Sequence, residues 1–472
     1  DRLTEENDAL RRRQSTPDSP EALASLPSLT LDDIPKKEPP TPTAVSEEQG
    51  ARVIFHDLPT RGITYIDLWF ALPDLKKEEA LTLALLGDLL KNFPTKRHTP
   101  LALQSDIKRD LGALSVSAVA VTNVRNFDTT PYLRVTASAL DHNRDRMIDL
   151  AGELLLTTDF SDGRILSDLL AQCISEDVAY FRAAGHALAL TRTLASVSPD
   201  AVFNEYTAGY TGYCRLREYE AKFPEQGARL AADLAALLSR AVCRRRLTFS
   251  MTGAPDPAFV SRFLSAFPEG ETPTPVSDFS PIPGENCGYV LPSRVSYAAT
   301  ASAFPGGFDA FSGSMFVAQN LLNYTYLWDN VRVRGGAYGA GFAVRPSGVF
   351  SFYSYRDPCP SASLACFAKA GDALRAFCAG DEDLTRFIIG AYGEHDPLTN
   401  PRMRGAGSTL NLLRGIRPED TDRIREELLS AKKSDLLRIA DLLDTAMKTG
   451  TSAVAGEKSA VEIVGSLKIF TV

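Results

Sequence analysis

An arginine and a tyrosine held a few residues apart can grip a carbonyl group, and Arg332-Val333-Arg334-Gly335-Gly336-Ala337-Tyr338-Gly339 supplies both. A guanidinium and a phenol each donate hydrogen bonds. A helix end presenting Arg332 and a strand start presenting Tyr338 could therefore hold a peptide carbonyl or stabilise an oxyanion. The glycines invite a nucleotide reading, which fails. A phosphate loop needs G-x-x-x-x-G-K-[ST], and a dinucleotide fingerprint needs G-x-G-x-x-G opening a helix after a strand. Gly335, Gly336, Gly339 and Gly341 fit neither, and the helical pattern precedes them. A structural role, ending a helix and letting a strand pass close to its neighbour, stands beside the chemical one.

Other chemistry is hard to write on this chain. The five histidines, His56, His98, His142, His186 and His395, lie at least forty residues apart, so neither His-x-x-Glu-His nor His-Glu-x-x-His occurs. Glu394-His395 reads as a loop dyad without a second histidine at ligand spacing. No G-x-S-x-G elbow is present, and Cys359 has no histidine close in sequence. The seven cysteines are scattered without a C-x-x-C pair, which reads as free thiols in a reducing compartment, the cytoplasm. Phe350-Ser351-Phe352-Tyr353 reads as sheet packing rather than a base-stacking platform.

The 51 basic residues against 59 acidic give a formal charge of −8, which disfavours nucleic acid as a partner. Arg244-Arg245-Arg246 is a dense basic run, and it reads as a solvated element end. No stretch approaches the roughly 20 apolar residues that cross a bilayer. The opening Asp-Arg-Leu-Thr-Glu-Glu shows no signal-peptide pattern, and the chain reads as a fragment or processed product.

The elements that must position Arg332 and Tyr338 occur twice. A chain of 472 residues exceeds one hydrophobic core. Residues 1–50 read as a helical linker arm, with Ser19 capping a helix at Pro20 and a Pro-rich end. Regular patterning starts at Ala51, with strands near 53–57 and 64–71 around Pro59-Thr60-Arg61-Gly62. Residues 271–285, with four prolines, read as an interdomain linker. Beyond them the order restarts. Tyr297, Ala299, Ala301 and Ala303 alternate as a half-buried strand, and Val317, Leu321, Tyr324, Trp328 and Val331 form a helix stripe. Setting Gly112 over Gly336 aligns the two helix-to-strand turns. Edge strands at 132–139 and 349–355 continue the match. The fold expected is α+β: two repeated α/β units, 51–270 and 286–472, each a mostly antiparallel sheet with helices packed on one face.

The Arg-x-x-Gly-Gly-Ala-Tyr-Gly segment, with Tyr353-Ser354-Tyr355-Arg356-Asp357-Pro358, resembles the C-terminal half of pitrilysin-like metallopeptidases of the presequence protease and falcilysin branch. Thr16-Pro17-Asp18-Ser19-Pro20-Glu21 with Ile34-Pro35 resembles the end of that family's helical-hairpin linker. Pro59-Thr60-Arg61-Gly62-Ile63-Thr64-Tyr65 resembles the opening hairpin of its third domain, and Asp396-Pro397-Leu398-Thr399-Asn400-Pro401 a loop of its fourth. The resemblance implies a clam-shell of two halves enclosing a chamber for unfolded peptides. It implies zinc on an inverted His-x-x-Glu-His motif in the N-terminal half, and Arg332 and Tyr338 as the contacts this half supplies. This chain would hold no cofactor and be inactive alone, with its partner the zinc-bearing half. The alternative is a non-catalytic scaffold or partner subunit of the same fold. If the first reading holds, metal analysis of the purified chain should find no stoichiometric zinc; one tightly held zinc per chain would overturn it.

Overall fold

Segments rich in β-branched, aromatic and small residues pair into two six-stranded sheets. The computed structural model describes every residue except Asp1, Pro27, Ser28, Glu38 and Ser277, and the side chains of Leu23 and Ala24. Contacts divide the chain into Asp1–Glu38 and Pro39–Val472. In the first unit a charged helix, Arg2–Ser15, is exposed throughout. The short helix Pro20–Ala24 follows, with Ser19 Oγ accepting from Ala22 N at 3.1 Å as its cap.

Within the second unit, the first sheet holds β1 (Ala44–Glu48), β2 (Ala51–His56), β3 (Ile63–Ala71), β4 (Ala113–Thr122), β5 (Thr129–Leu140) and β6 (Leu247–Thr252). They lie in the order β1-β2-β6-β3-β5-β4. The second sheet holds β7 (Cys287–Val290), β8 (Ser296–Ala303), β9 (Gly339–Val344), β10 (Val349–Asp357), β11 (Thr451–Gly456) and β12 (Lys468–Thr471). Its order is β12-β7-β11-β8-β10-β9. Five strands repeat position for position: β2, β6, β3, β5, β4 against β7, β11, β8, β10, β9. The β2/β6 and β7/β11 pairs are both parallel, and the three pairs after each are antiparallel. The fold is thus two repeated, mostly antiparallel α/β units.

Several details differ from the sequence reading. β2 and β3 do not form a hairpin, because β6, almost two hundred residues later, inserts between them. β11 separates β7 and β8 in the same way. β5 and β10 are not edges, since each is paired on both sides; β4 and β9 are the edges. Ala44–Glu48, read as part of the arm, forms β1 beside β2. Gly112 and Gly336 both lie in helix-to-strand turns entering those edges, but their ladder positions are offset. Gly112 N donates to Ser138 O, whereas the matching bond in the second sheet comes from Tyr338 N to Tyr355 O.

The two α/β copies within Pro39–Val472 exchange a helix. Helix Gly185–Leu194, from the first copy, packs on β8, β11 and β10 of the second sheet. Helix Pro401–Arg414, from the second copy, packs on β6 and β4 of the first. This explains why β8 is buried on both faces rather than half-buried. A single core cluster runs from Val53 and Leu68 in the first sheet to Ala299 and Ala453 in the second. Both exchanged helices meet their sheet at a glycine. A Cβ on Gly185 would lie 2.4 Å from the Tyr297 ring, and one on Gly405 would lie 2.0 Å from Thr252 Oγ1. Beside Gly405, Thr409 Oγ1 bonds His56 Nε2 and Ser250 Oγ, each at 2.8 Å, so the buried polar atoms at this contact are satisfied.

Alanine favours a helix over glycine by about 1 kcal/mol, whereas overpacking a closed contact costs about 1–3 kcal/mol. Steric closure should win at both places. Gly185→Ala and Gly405→Ala are each expected to lower the midpoint of urea unfolding, and a raised midpoint would mean the helix–sheet contacts can yield.

Candidate functional site

Tyr338 and Arg332 flank one turn. The helix Ser314–Leu321 continues as a π-helical segment, Leu322–Val333, which ends in this turn. Long π-helical runs are rare and are often found at functional sites. Side chains here compete for the backbone acceptors: Thr325 Oγ1 donates to Leu321 O at 2.7 Å, and Asn330 Nδ2 to Tyr326 O at 2.9 Å. The wider turn changes which residues face the core. Leu322, Leu327 and Val331 are buried, while Tyr324 is 60% and Trp328 43% exposed. The regular stripe read from the sequence therefore breaks at Tyr324 and Trp328. They lie at four-residue spacing with Arg332 and form a partly exposed face with it.

The segment ends with Arg334 N bonding Asp329 O and Ala337 N bonding Val331 O. Gly336 has φ +78°, a left-handed conformation that a side chain would strain, and it turns the chain toward β9. Arg332 places its guanidinium over the Trp328 ring at 4.0 Å, a cation–π contact. Tyr338 is 68% exposed, and among the described residues nothing hydrogen-bonds its hydroxyl. Its backbone is fixed by N–H bonds to Tyr355 O and Arg356 O, at 3.0 and 3.3 Å. The turn thus presents a cation and an uncommitted phenol. The outer edge of β9 is clamped from the π segment: Asn323 Oδ1 accepts from Phe342 N at 2.6 Å, and Asn323 Nδ2 donates to Phe342 O at 3.0 Å. The strand cannot slide relative to the helix that carries Arg332.

Behind Tyr338 lies an aromatic cluster that the sequence reading missed. Tyr355 meets the Tyr338 ring edge-on at 6.0 Å and the His186 ring at 4.9 Å. His186 also stacks near Tyr353 at 5.5 Å and Tyr297 at 6.0 Å. Tyr297 and Tyr355 donate their hydroxyls to the carbonyls at the end of helix Gly163–Ala183. Burial lowers the His186 pKa, and its buried Nδ1 has no partner among the described residues. His186 is remote in sequence from 338, and only its exchanged helix brings it there.

Among the described residues no group of three His, Cys, Asp or Glu could hold a metal. His56 bonds Thr409, His98 bonds Glu153 Oε1 at 2.8 Å, and His395 stacks on Phe316. Glu394 and His395 end the helix Thr385–His395 rather than lying in a loop. All seven cysteines are free thiols. Phe350 and Phe352 are buried in sheet packing against Phe342. No described helix is long and apolar enough to cross a membrane.

The chain matches two family models in succession. The first, over residues 1–218, describes a region associated with subfamily C of peptidase family M16; the second, over residues 286–458, is "PreP C-terminal domain". Presequence protease 1, chloroplastic/mitochondrial, of Arabidopsis thaliana is 31% identical over 472 residues, covering 98% of this chain and 43% of that protein. Protein HypA of Clostridium perfringens is 26% identical over 464 residues, covering 96% of this chain and 47% of its own length. The chain therefore spans less than half the length of these relatives. Among solved structures, a peptidase M16 inactive domain from Pseudomonas fluorescens shares the fold at TM-score 0.63 and 15% identity. That match covers 88% of this chain and 98% of the other. A conserved protein from Enterococcus faecalis shares it at TM-score 0.65 and 13% identity, covering 89% and 99%. With both models in order along one sequence, the chain belongs to the pitrilysin-like M16 peptidases and corresponds to a C-terminal half of the presequence protease branch.

Proposed function

We propose that this chain is the non-zinc half of a zinc metalloendopeptidase that degrades unfolded peptides in an enclosed chamber. The observation that carries this reading is the turn at 332–338, which offers an uncommitted phenol and a guanidinium from one rigid clamp. The relatives' printed names support the reaction class, and in this reading the zinc is carried by an N-terminal partner half. The seven free thiols suit a reducing compartment, and we place the protein in the cytoplasm.

In this reading Tyr338 donates its O–H to the carbonyl oxygen of the attacked peptide bond as negative charge develops there. A donor already aimed at that oxygen need not reorganise during the reaction, which is what makes such hydrogen bonds effective. Arg332 braces the peptide backbone or the phenol, and Trp328 beneath it limits where the guanidinium can swing. Tyr355 and the cluster around His186 hold the Tyr338 ring from behind.

Tyr338→Phe removes one hydroxyl from an exposed position, so stability should be unchanged. Removing one such donor costs about 10²–10³ in rate. In the complete two-half enzyme Tyr338→Phe should lower kcat by about that factor. Arg332→Lys should impair turnover as well, because Lys keeps the charge but loses the planar fork. Unchanged kcat and KM for Tyr338→Phe in steady-state peptide hydrolysis would remove the catalytic assignment and leave this chain a chamber wall.

A further inference from the structure

Next to Trp328, at Tyr324, the exposed face of the π segment borders a cleft of about 480 Å³. Asn320 and Tyr324 form one wall, and Phe387, Gly390 and Glu394 of helix Thr385–His395 form the other, with Arg386 at the rim. The charges decide what it can take. Glu394 Oε1 accepts from Asn320 Nδ2 at 3.1 Å, and the carboxylate also faces the Tyr324 phenol, whose pKa it raises. Both neighbours are neutral, and among the described residues no cation pairs with Glu394. Arg386, the other charge at the cleft, is paired with Glu382 and lies over the Phe387 ring at 4.5 Å. Farther along, Asp396 and Arg425 pair with each other at 3.1 Å. The cleft therefore carries one carboxylate without a cationic partner beside the exposed Tyr324 ring, Phe387 being buried with Arg386 already over its ring.

That combination suits a cation on a flexible apolar stem. The Tyr324 ring accepts the methylenes and attracts the charge, and the carboxylate receives its N–H donors. We propose that this cleft is a subsite for a lysine or arginine side chain of an extended peptide. It deepens the peptidase reading above and rests on it. Eight residues separate Tyr324 from Arg332, at most about 12 Å at the α-helical rise. An extended peptide at about 3.3 Å per residue covers that distance in three or four residues. A peptide held at the Arg332–Tyr338 turn thus reaches the cleft with a side chain a few positions away.

The test uses the purified 472-residue chain and unstructured peptides identical except at one position, which is lysine, norleucine or glutamate. Trp328 reports binding by fluorescence, with the other tryptophan, Trp69, buried at 2% exposure and acting as a constant background. A cation–π contact and an exposed ion pair together favour lysine over norleucine by about fivefold in Kd. Glu394→Gln should remove about half of that preference and leave norleucine binding unchanged. Tyr324→Leu should halve the preference, a second route to the answer should Glu394→Gln fold poorly. Salt near 1 M should weaken it, because the Debye length falls to about 3 Å. Equal Kd values for lysine and norleucine on the native chain would overturn the proposal. So would a lysine preference left undiminished by Glu394→Gln, a preference for glutamate, or no binding of any of the peptides. These readouts need no turnover. A lost lysine preference with Tyr338→Phe still crippling kcat sinks the subsite alone, and the converse sinks the catalytic reading alone.

Discussion

The reciprocal exchange of helices Gly185–Leu194 and Pro401–Arg414 is the contact on which the rest of the structure depends. Each sheet buries one face against helices of its own copy and needs a second cover for the apolar residues of its central strands. Each finds that cover in the other copy. Neither α/β unit could be removed without exposing β8 of one sheet or the Trp69, Val121 and Tyr132 cluster of the other, against which Leu410 and Leu413 pack. The glycines at both crossings let helix backbone approach sheet closely, so packing there leaves little room for sliding.

The candidate site inherits its rigidity from that exchange. His186 rides on the helix donated to the second sheet and packs against Tyr297, Tyr353 and Tyr355. Tyr355 in turn backs Tyr338. A residue at position 186 thus supports a phenol at position 338 through ring contacts. On the opposite side, Asn323 and Gln319 tie β9 to the helix through Phe342 and Val344. A hydrogen-bond donor acts on a reacting carbonyl only if it is held to within a fraction of an ångström. The exposed turn is held from both sides, although nothing covers its tip.

Much of this is legible in the sequence because the local signals and the fold agree. Ser19 before Pro20 caps a helix, Arg61-Gly62 turns between strands with both residues at positive φ, and the alanine-rich β8 is a strand. What is not legible depends on distant parts of the chain. β6 lies between β2 and β3 because of pairing across nearly two hundred residues, which no local pattern encodes. β8 reads as half-buried because its second cover lies more than a hundred residues upstream. Tyr324 and Trp328 fall on the core stripe only while a 3.6-residue period holds, whereas the π winding turns them outward. Thr325 and Asn330, both able to bond a carbonyl four residues back, are the one local hint of it. Arg332 and Tyr338 are legible by residue type; the aromatic support behind them is not.

The duplicated fold also treats the helix that follows its matching strands differently in the two copies. In the first copy the helix after the matching strand is Ala80–Leu89, in which Ala80, Leu81, Thr82, Leu83, Leu85, Leu86, Gly87 and Leu89 are buried. A separate helix, Pro100–Asp110, with Leu103 and Ile107 buried, ends in the matching turn. Within Ala80–Leu89 the one exposed residue is Asp88, so that helix is enclosed over nearly its whole surface. Its Gly87 would bring a Cβ to 3.0 Å from the Ser117 and Ala118 backbone, leaving no space for a longer side chain. In the second copy the equivalent helix loosens into π winding before its end. That widening costs hydrogen-bond geometry, and it frees Tyr324, Trp328 and Arg332 from the core without unpacking Leu322, Leu327 and Val331. The same topology thus keeps the helix after the matching strand sealed in one copy and opens the end of its counterpart as a platform in the other. What separates them is the pitch of one helix and the polar residues, Asn323, Thr325 and Asn330, that hold it there.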